Sequence, residues 1–126
     1  MYFIGKIDKE IYKCISDDIQ TEDVIITEER VQHIKERHPK DYERYCEFIK
    51  EIVEQPDYIV ETNKINTALI LKEFSGENGE TFKMVVRLVT STDDAAFKNS
   101  VITFMKINKK EWTRLLKNKR ILYKRD

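Results

Sequence analysis

The sequence predicts an α+β domain: N-terminal strands and two helices, then a four-stranded antiparallel sheet, then a C-terminal helix. Three observations carry that prediction. Between residues 27 and 54 apolar side chains recur three and four apart, the spacing of one helix face. From Tyr58 onward β-branched and aromatic residues take over in short runs. After Ile107, Asn108 followed three residues later by Glu111 has the form of a capping box opening a last helix. A chain of 126 residues can build one proper core without disulfide staples, so residues 1–126 read as a single domain.

Taken in order, Met1–Lys6 is short and apolar, consistent with a first strand. Ile11–Ser16 is a second candidate strand, and Val24–Ile26 leads into the first helix. That helix occupies TEERVQHIKERHP, Thr27–Pro39: Thr27 suits the N-cap, Glu28 and Glu29 favour the positive end of the dipole, and Pro39 stops the helix near His38. Val31, Ile34 and His38 share one stripe; Arg30, His33 and Arg37 share the next. Lys40–Glu54 reads as one longer helix with Tyr42, Tyr45, Cys46, Ile49, Ile52 and Val53 on its core face, and Gln55–Pro56 ends it. Tyr58–Thr62, Thr67–Phe74, Thr81–Thr90 and Asn99–Ile107 are the four strands of the sheet. A hairpin loop with two glycines, Ser75–Gly79, joins the second to the third, and Thr92–Lys98 is a polar connection. Trp112, Leu115 and Leu116 form the inner face of the last helix.

Apolar residues make up 40% and charged residues 37%, the balance of an ordinary globular protein with a well-solvated surface. No run is long or apolar enough to cross a membrane, and the N-terminus lacks a basic-then-apolar leader, so a cytoplasmic location is expected. Cys14 and Cys46 lack a C-x-x-C spacing and read as buried small hydrophobes in a reducing compartment. The 23 basic and 23 acidic residues cancel, yet residues 106–126 hold nine Lys/Arg against two Asp/Glu. That basic tail suits a polyanion or simply a solvated terminal helix.

The chemistry-bearing residues are few. Phosphate-binding glycine loops, the nucleophile elbow G-x-S-x-G and the zinc motif H-E-x-x-H are absent. His33 and His38 are five apart, which turns them away from a shared metal on one helix. On the third strand, alternation puts Phe82, Met84, Val86 and Leu88 under the helices and Lys83 and Arg87 on the other face. On the fourth strand, strict alternation separates Ser100 from Thr103; a bulge would reunite them. Histidine, arginine, lysine and hydroxyl are together the kit for metal-free RNA cleavage. A base takes the ribose 2′-OH proton, cations stabilise the phosphorus transition state, and an acid protonates the leaving 5′-oxygen. Histidine serves either proton transfer near neutral pH.

HIKERHP (His33–Pro39), QPDYI (Gln55–Ile59), TFKMVVRLVT, KNSVIT (Lys98–Thr103) and LYK (Leu122–Lys124) follow one another in the chain. In that order they resemble the phage- and mobile-element-associated nuclease domains grouped with barnase, EndoU, the tRNase colicins and RelE. The resemblance implies helices followed by a four-stranded antiparallel sheet, and RNA cleavage without metal or other cofactor. It implies catalytic roles for His33, His38, Arg87, Ser100 and Thr103. Substrate contacts would come from Arg37, Lys83, Asn99, Tyr123 and Lys124, with Tyr123 available for stacking on a base. The expected partners are RNA, with tRNA as one candidate, and an immunity or antitoxin protein if the domain is a toxin or effector. The rival expectation is a catalytically inactive RNA- or protein-binding domain of the same fold. A weaker one is a metal-dependent enzyme using His33 with nearby carboxylates.

Overall fold

The computed structural model describes residues 1–74 and 79–126. Seven strands, β1 (Tyr2–Lys6), β2 (Asp23–Ile26), β3 (Tyr58–Val60), β4 (Thr67–Glu73), β5 (Thr81–Arg87), β6 (Asn99–Ile107) and β7 (Ile121–Lys124), form one sheet in the order β1-β2-β6-β5-β4-β3-β7. Every neighbouring pair is antiparallel except β2–β6. The α+β class therefore holds, but the expected four-stranded antiparallel sheet is replaced by a seven-stranded mixed one. β2 closes onto the free edge of β6 in the parallel sense, β1 pairs with β2, and β7 returns after the last helix to cover β3. Side-chain period marks a segment as a strand without naming its partner, and unpaired edges recruit whatever strand reaches them.

The helices are α1 (Lys9–Tyr12), α2 (Glu28–Arg37), α3 (Pro39–Tyr45), α4 (Ile49–Glu54) and α5 (Lys109–Asn118), with a 3-10 turn at Cys46–Phe48. The strand expected at Ile11–Ser16 is not there. Asp8 accepts a hydrogen bond from the Glu10 N–H and caps the single turn of α1, which places the Tyr12 ring in the core. The Tyr12 hydroxyl donates to the Val53 carbonyl at 2.7 Å, tying α1 to α4.

The helix expected over Lys40–Glu54 breaks into α3, the 3-10 turn and α4. The break lets Tyr45 and Phe48 both reach the core: Tyr45 meets Phe82 edge-on at 5.0 Å, and Phe48 stacks on Phe74 at 4.4 Å. It also turns Cys46 out to solvent, against the expectation of a buried thiol; Cys14 is half-buried, and both are free. Pro39 ends α2 and then opens α3 as its first residue, a position where its missing N–H costs nothing.

Core lies on both faces of the sheet. Phe82, Met84, Val86 and Leu88 are wholly buried on the face covered by α2, α3 and α4, as alternation predicts, with Phe82 stacked on Phe104. On the other face Leu115 packs with Val60, Leu69, Leu71 and Ile107, and Trp112 meets Tyr58 edge-on. The Asn108 carboxamide caps α5 by accepting from the Glu111 N–H at 2.8 Å. The Glu111 carboxylate turns to Lys83 and Arg114 instead of closing the box. The expected hairpin is seen in the antiparallel β4–β5 register, Glu73 opposite Thr81. Its loop falls outside the described residues apart from Gly79, whose φ of 50° is a conformation that glycine adopts without strain.

Within Gln55–Ile59, residues 55–57 join α4 to β3, which begins at Tyr58. The buried Lys72 ammonium donates to the Gln55 carbonyl at 2.7 Å and to the Asp57 carboxylate at 3.2 Å, while Asp57 also accepts from the Glu73 N–H. No described helix is long and apolar enough to cross a membrane.

Candidate active site

α5 packs over β3, β4, β5 and the Ile107 end of β6, and the cleft lies toward β2 and the Ser100 end of β6. There the registers align a row of residues: Phe3 opposite Ile25, Ile25 beside Ser100, Ser100 opposite Arg87, and Arg87 opposite Thr67. Partners in a ladder share a face, so this row faces away from α2–α4. Around it opens a cleft of about 440 Å³, lined among others by Ile25, Arg87, Asp93, Phe97, Lys98 and Ser100.

Strict alternation would turn Thr103 away from Ser100. The β5–β6 ladder instead slips between Val85 and Val86, so that Val86 faces Val101 while Val85 faces Thr103. One extra residue on β6 restores the parity, and Val101 and Phe104 both enter the helix-side core. Ser100 and Thr103 consequently share the face of Arg87.

The Arg87 guanidinium is partly exposed. It donates to the Leu88 carbonyl and, at 3.0 Å, to the Asp93 carboxylate. Asp93 also accepts from the Thr90 N–H at 2.8 Å. That N–H, and then the nearby Arg87, hold the Asp93 carboxyl below the usual carboxylate range. The segment from Thr90 to Asn99 is further pinned by Asp18 on Ser91, by Asp94 on the Ala96 N–H, and by Lys98 on Asp23 at 3.1 Å. Asn99 is fully buried; its carboxamide oxygen accepts from the Val89 N–H and its amide donates to the Thr21 carbonyl.

Of the residues singled out from sequence, Arg87 and Ser100 line the cleft and Thr103 shares its face. Lys83 is on that face too, but lies under α5 in an ion pair with Glu111 at 2.9 Å, which holds the Glu111 carboxyl low. Asn99 is used up inside the fold, positioning the strand–loop junction. Tyr123 pairs with Ile59 and packs on the helix-side core, and Lys124 is exposed beside it on the edge strand β7. Both are three strands from Arg87.

Neither histidine lines the cleft. α2 buries Val31 and Ile34 against the opposite side of the sheet. His33 borders a shallow depression on the outer side of α2 with Glu29, Arg30, Gln32 and Glu36; Arg37 is exposed, and His38 is the half-buried C-cap. Residues that sequence reasoning passed over are Asp93, Phe97 and Lys98, within or at the end of what read as a polar connection. The signal available was the acidic pair Asp93–Asp94 a few residues after an arginine in an apolar strand. Among the described residues, no three His, Cys, Asp or Glu side chains converge to hold a metal ion.

Comparison with known proteins decides the family. A model of the phage-Barnase-EndoU-ColicinE5/D-RelE like nuclease2 family matches residues 3–124. The chain belongs to this family. No curated protein and no solved structure matches it. The match covers nearly the whole fold, so this nuclease-family domain includes the sheet, both helical layers and the Arg87 cleft within one family unit.

Proposed function

We propose that this nuclease-family domain is a metal-independent endoribonuclease of the toxin or effector type, cleaving by ribose 2′-OH attack at the Arg87 cleft. The observation that carries the reading is the Arg87–Ser100 pair, with Lys98 beside it, on an uncovered sheet face. Arg87 releases Asp93 and takes the two non-bridging oxygens of the scissile phosphate, a geometry its planar fork matches. Ser100 and Thr103 donate to phosphate or ribose oxygens.

The 2′-oxygen attacks phosphorus, the bond to the 5′-oxygen breaks, and a 2′,3′-cyclic phosphate and a 5′-hydroxyl result. Asp93 is the carboxylate lining the cleft and takes the 2′-OH proton; water entering the open cleft protonates the leaving oxygen. A carboxylate held low in pKa is a weak base. Most of the acceleration therefore comes from charge stabilisation by Arg87 and Lys98. A structured RNA such as tRNA is one candidate substrate, and the basic α5–β7 segment suits its surrounding backbone. A toxin of this type requires a neutralising immunity protein, and the expected compartment is the cytoplasm.

One observation favours a second reading, a catalytically inactive RNA- or protein-binding domain: Arg87 and Lys98 already hold the carboxylates of Asp93 and Asp23. The test is cleavage of tRNA, of mixed-sequence RNA and of DNA of the same sequence by the purified protein in EDTA. The expected result is RNA-only cleavage with cyclic phosphate ends, lost in Arg87→Ala and retained in His33→Ala and His38→Ala. No cleavage of either RNA pool supports the binding-domain reading. Loss in a histidine variant that folds would return the proton transfers to α2, and loss on chelation would require a metal.

A further inference from the structure

We propose that the apolar half of the cleft is a nucleobase subsite, in which Phe97 stacks on the base next to the phosphate held by Arg87; this rests on the ribonuclease reading above. Six large apolar side chains stand exposed among the described residues: Met1, Tyr2, Phe3, Ile65, Phe97 and Ile121. Two of them, Met1 and Phe97, line this one cleft, together with Ile25 and Val89. Phe3, as the ladder partner of Ile25, adds a third on the same face. Water gains nothing from such a gathering, and apolar surface collected around a cation is the mark of a binding site.

The composition of the cleft selects the ligand. Arg87 and Lys98 supply two cations within the same walls as the Phe97 ring. Single-stranded RNA alternates an anionic phosphate with a flat π-face at this scale, and aromatic stacking with cationic backbone contacts is how single strands are held. An acidic peptide would use the cations and leave the ring idle.

The backbone that carries the ring is also held in place before any ligand arrives. The Phe97 N–H donates to the Asp94 carbonyl at 3.0 Å, and the Asp94 carboxylate accepts from the Ala96 N–H at 2.9 Å. On one side Lys98 is tied to Asp23, and on the other Asp93 is tied to Thr90. A platform fixed in this way loses little freedom on binding. Met1, Ile25, Val89 and Ala96 supply the apolar part of the lining, and none of its polar residues is a carboxamide that would read a base edge in two bonds. The subsite therefore accepts any base and prefers those that stack best.

The experiment measures binding of a 2′-O-methyl oligoribonucleotide, which cannot supply the nucleophile, so affinity is read apart from cleavage. Phe97→Ala is expected to weaken binding about tenfold or more, the loss typical of one stacked base, with an unchanged salt slope. Phe97→Trp is expected to restore it. Arg87→Ala is expected to weaken binding and to lower the magnitude of the salt slope by roughly 0.7, one phosphate contact to a single strand. Binding reduced in Arg87→Ala but unaltered in Phe97→Ala would overturn the base subsite and leave the phosphate site standing. Wild-type protein that fails to bind the oligonucleotide would overturn both. A Phe97→Ala loss that the tryptophan variant fails to rescue, in folded protein, would also overturn stacking as its cause.

Discussion

Ser100 stands directly opposite Arg87 across the β5–β6 ladder, on the sheet face that α5 leaves open. A hydroxyl and a guanidinium so placed would meet the phosphate of the proposed substrate from two adjacent strands. Strands hold such pairs more rigidly than loops, and rigidity is what charge stabilisation in a transition state requires.

Arg87→Ala should lower cleavage by about 100- to 1,000-fold, the range seen when one preorganised donor to a developing negative charge is removed. Arg87→Lys should recover only a small part, because an ammonium lacks the fork that spans Leu88 and Asp93. Single-turnover cleavage with both variants, alongside thermal melting, checks this.

The bulge makes a separate prediction. Thr103→Val keeps shape and β-propensity while removing the hydroxyl that the register slip turns toward the Arg87 face. Cleavage should fall about five- to tenfold, the value of one hydrogen bond of roughly 1 kcal/mol, with the melting temperature little changed. Unaltered cleavage would remove Thr103 from the substrate contacts.

Asp93 predicts a pH dependence with a definite sign. Its folded-state carboxyl is held below its unfolded value by the Thr90 N–H and by Arg87. The stabilisation is therefore fully present above the unfolded carboxylate pKa of about 3.9 and is lost as pH falls through the lower folded value. Asp93→Asn should be the less stable protein at neutral pH, and its stability should depend less on pH across the acid window. Chemical denaturation from pH 2 to 7 of both proteins measures this, and parallel curves would refute it.

Two contacts away from the cleft carry stability. Tyr12→Phe removes the buried donor to the Val53 carbonyl and should cost about 1–2 kcal/mol. Asp57→Ala leaves the Lys72 ammonium, nearly wholly buried, with the Gln55 carbonyl alone among its partners. Breaking a buried pair from one side should cost about 3–5 kcal/mol. Urea unfolding midpoints of the two variants test both values, and cleavage by the folded fraction should remain normal.

Much of this architecture was legible beforehand, and for local reasons. The Phe82–Met84–Val86–Leu88 stripe is buried as alternation requires, and Arg87 falls on the opposite face for the same reason. Thr27 and Asn108 cap their helices because their side chains reach an N–H three residues on. The single long helix failed at Cys46, where a 3-10 turn brings Tyr45 and Phe48, which lies outside the core stripe, together against Phe82. Of the residues singled out from sequence as one group, the fold brings Arg87 and Ser100 to one cleft and leaves His33 and His38 outside it. Phe97 was passed over because nothing in a polar connection announces that it lines a cleft, and Asp93 because the acidic pair was not read against the strand arginine.

By itself the sequence determined the class, most of the helical and extended segments, the caps of α2 and α5, and the faces on which the β5 side chains lie. These follow from backbone periods and from hydrogen bonds spanning a few residues. Tertiary structure alone decided the seven-strand order, the bulge that brings Thr103 round to Ser100, the cover of Lys83 by α5, and the opening of the cleft away from α2. Each depends on which distant segment reaches an unpaired edge or an uncovered face, and that choice is made by packing across the whole chain.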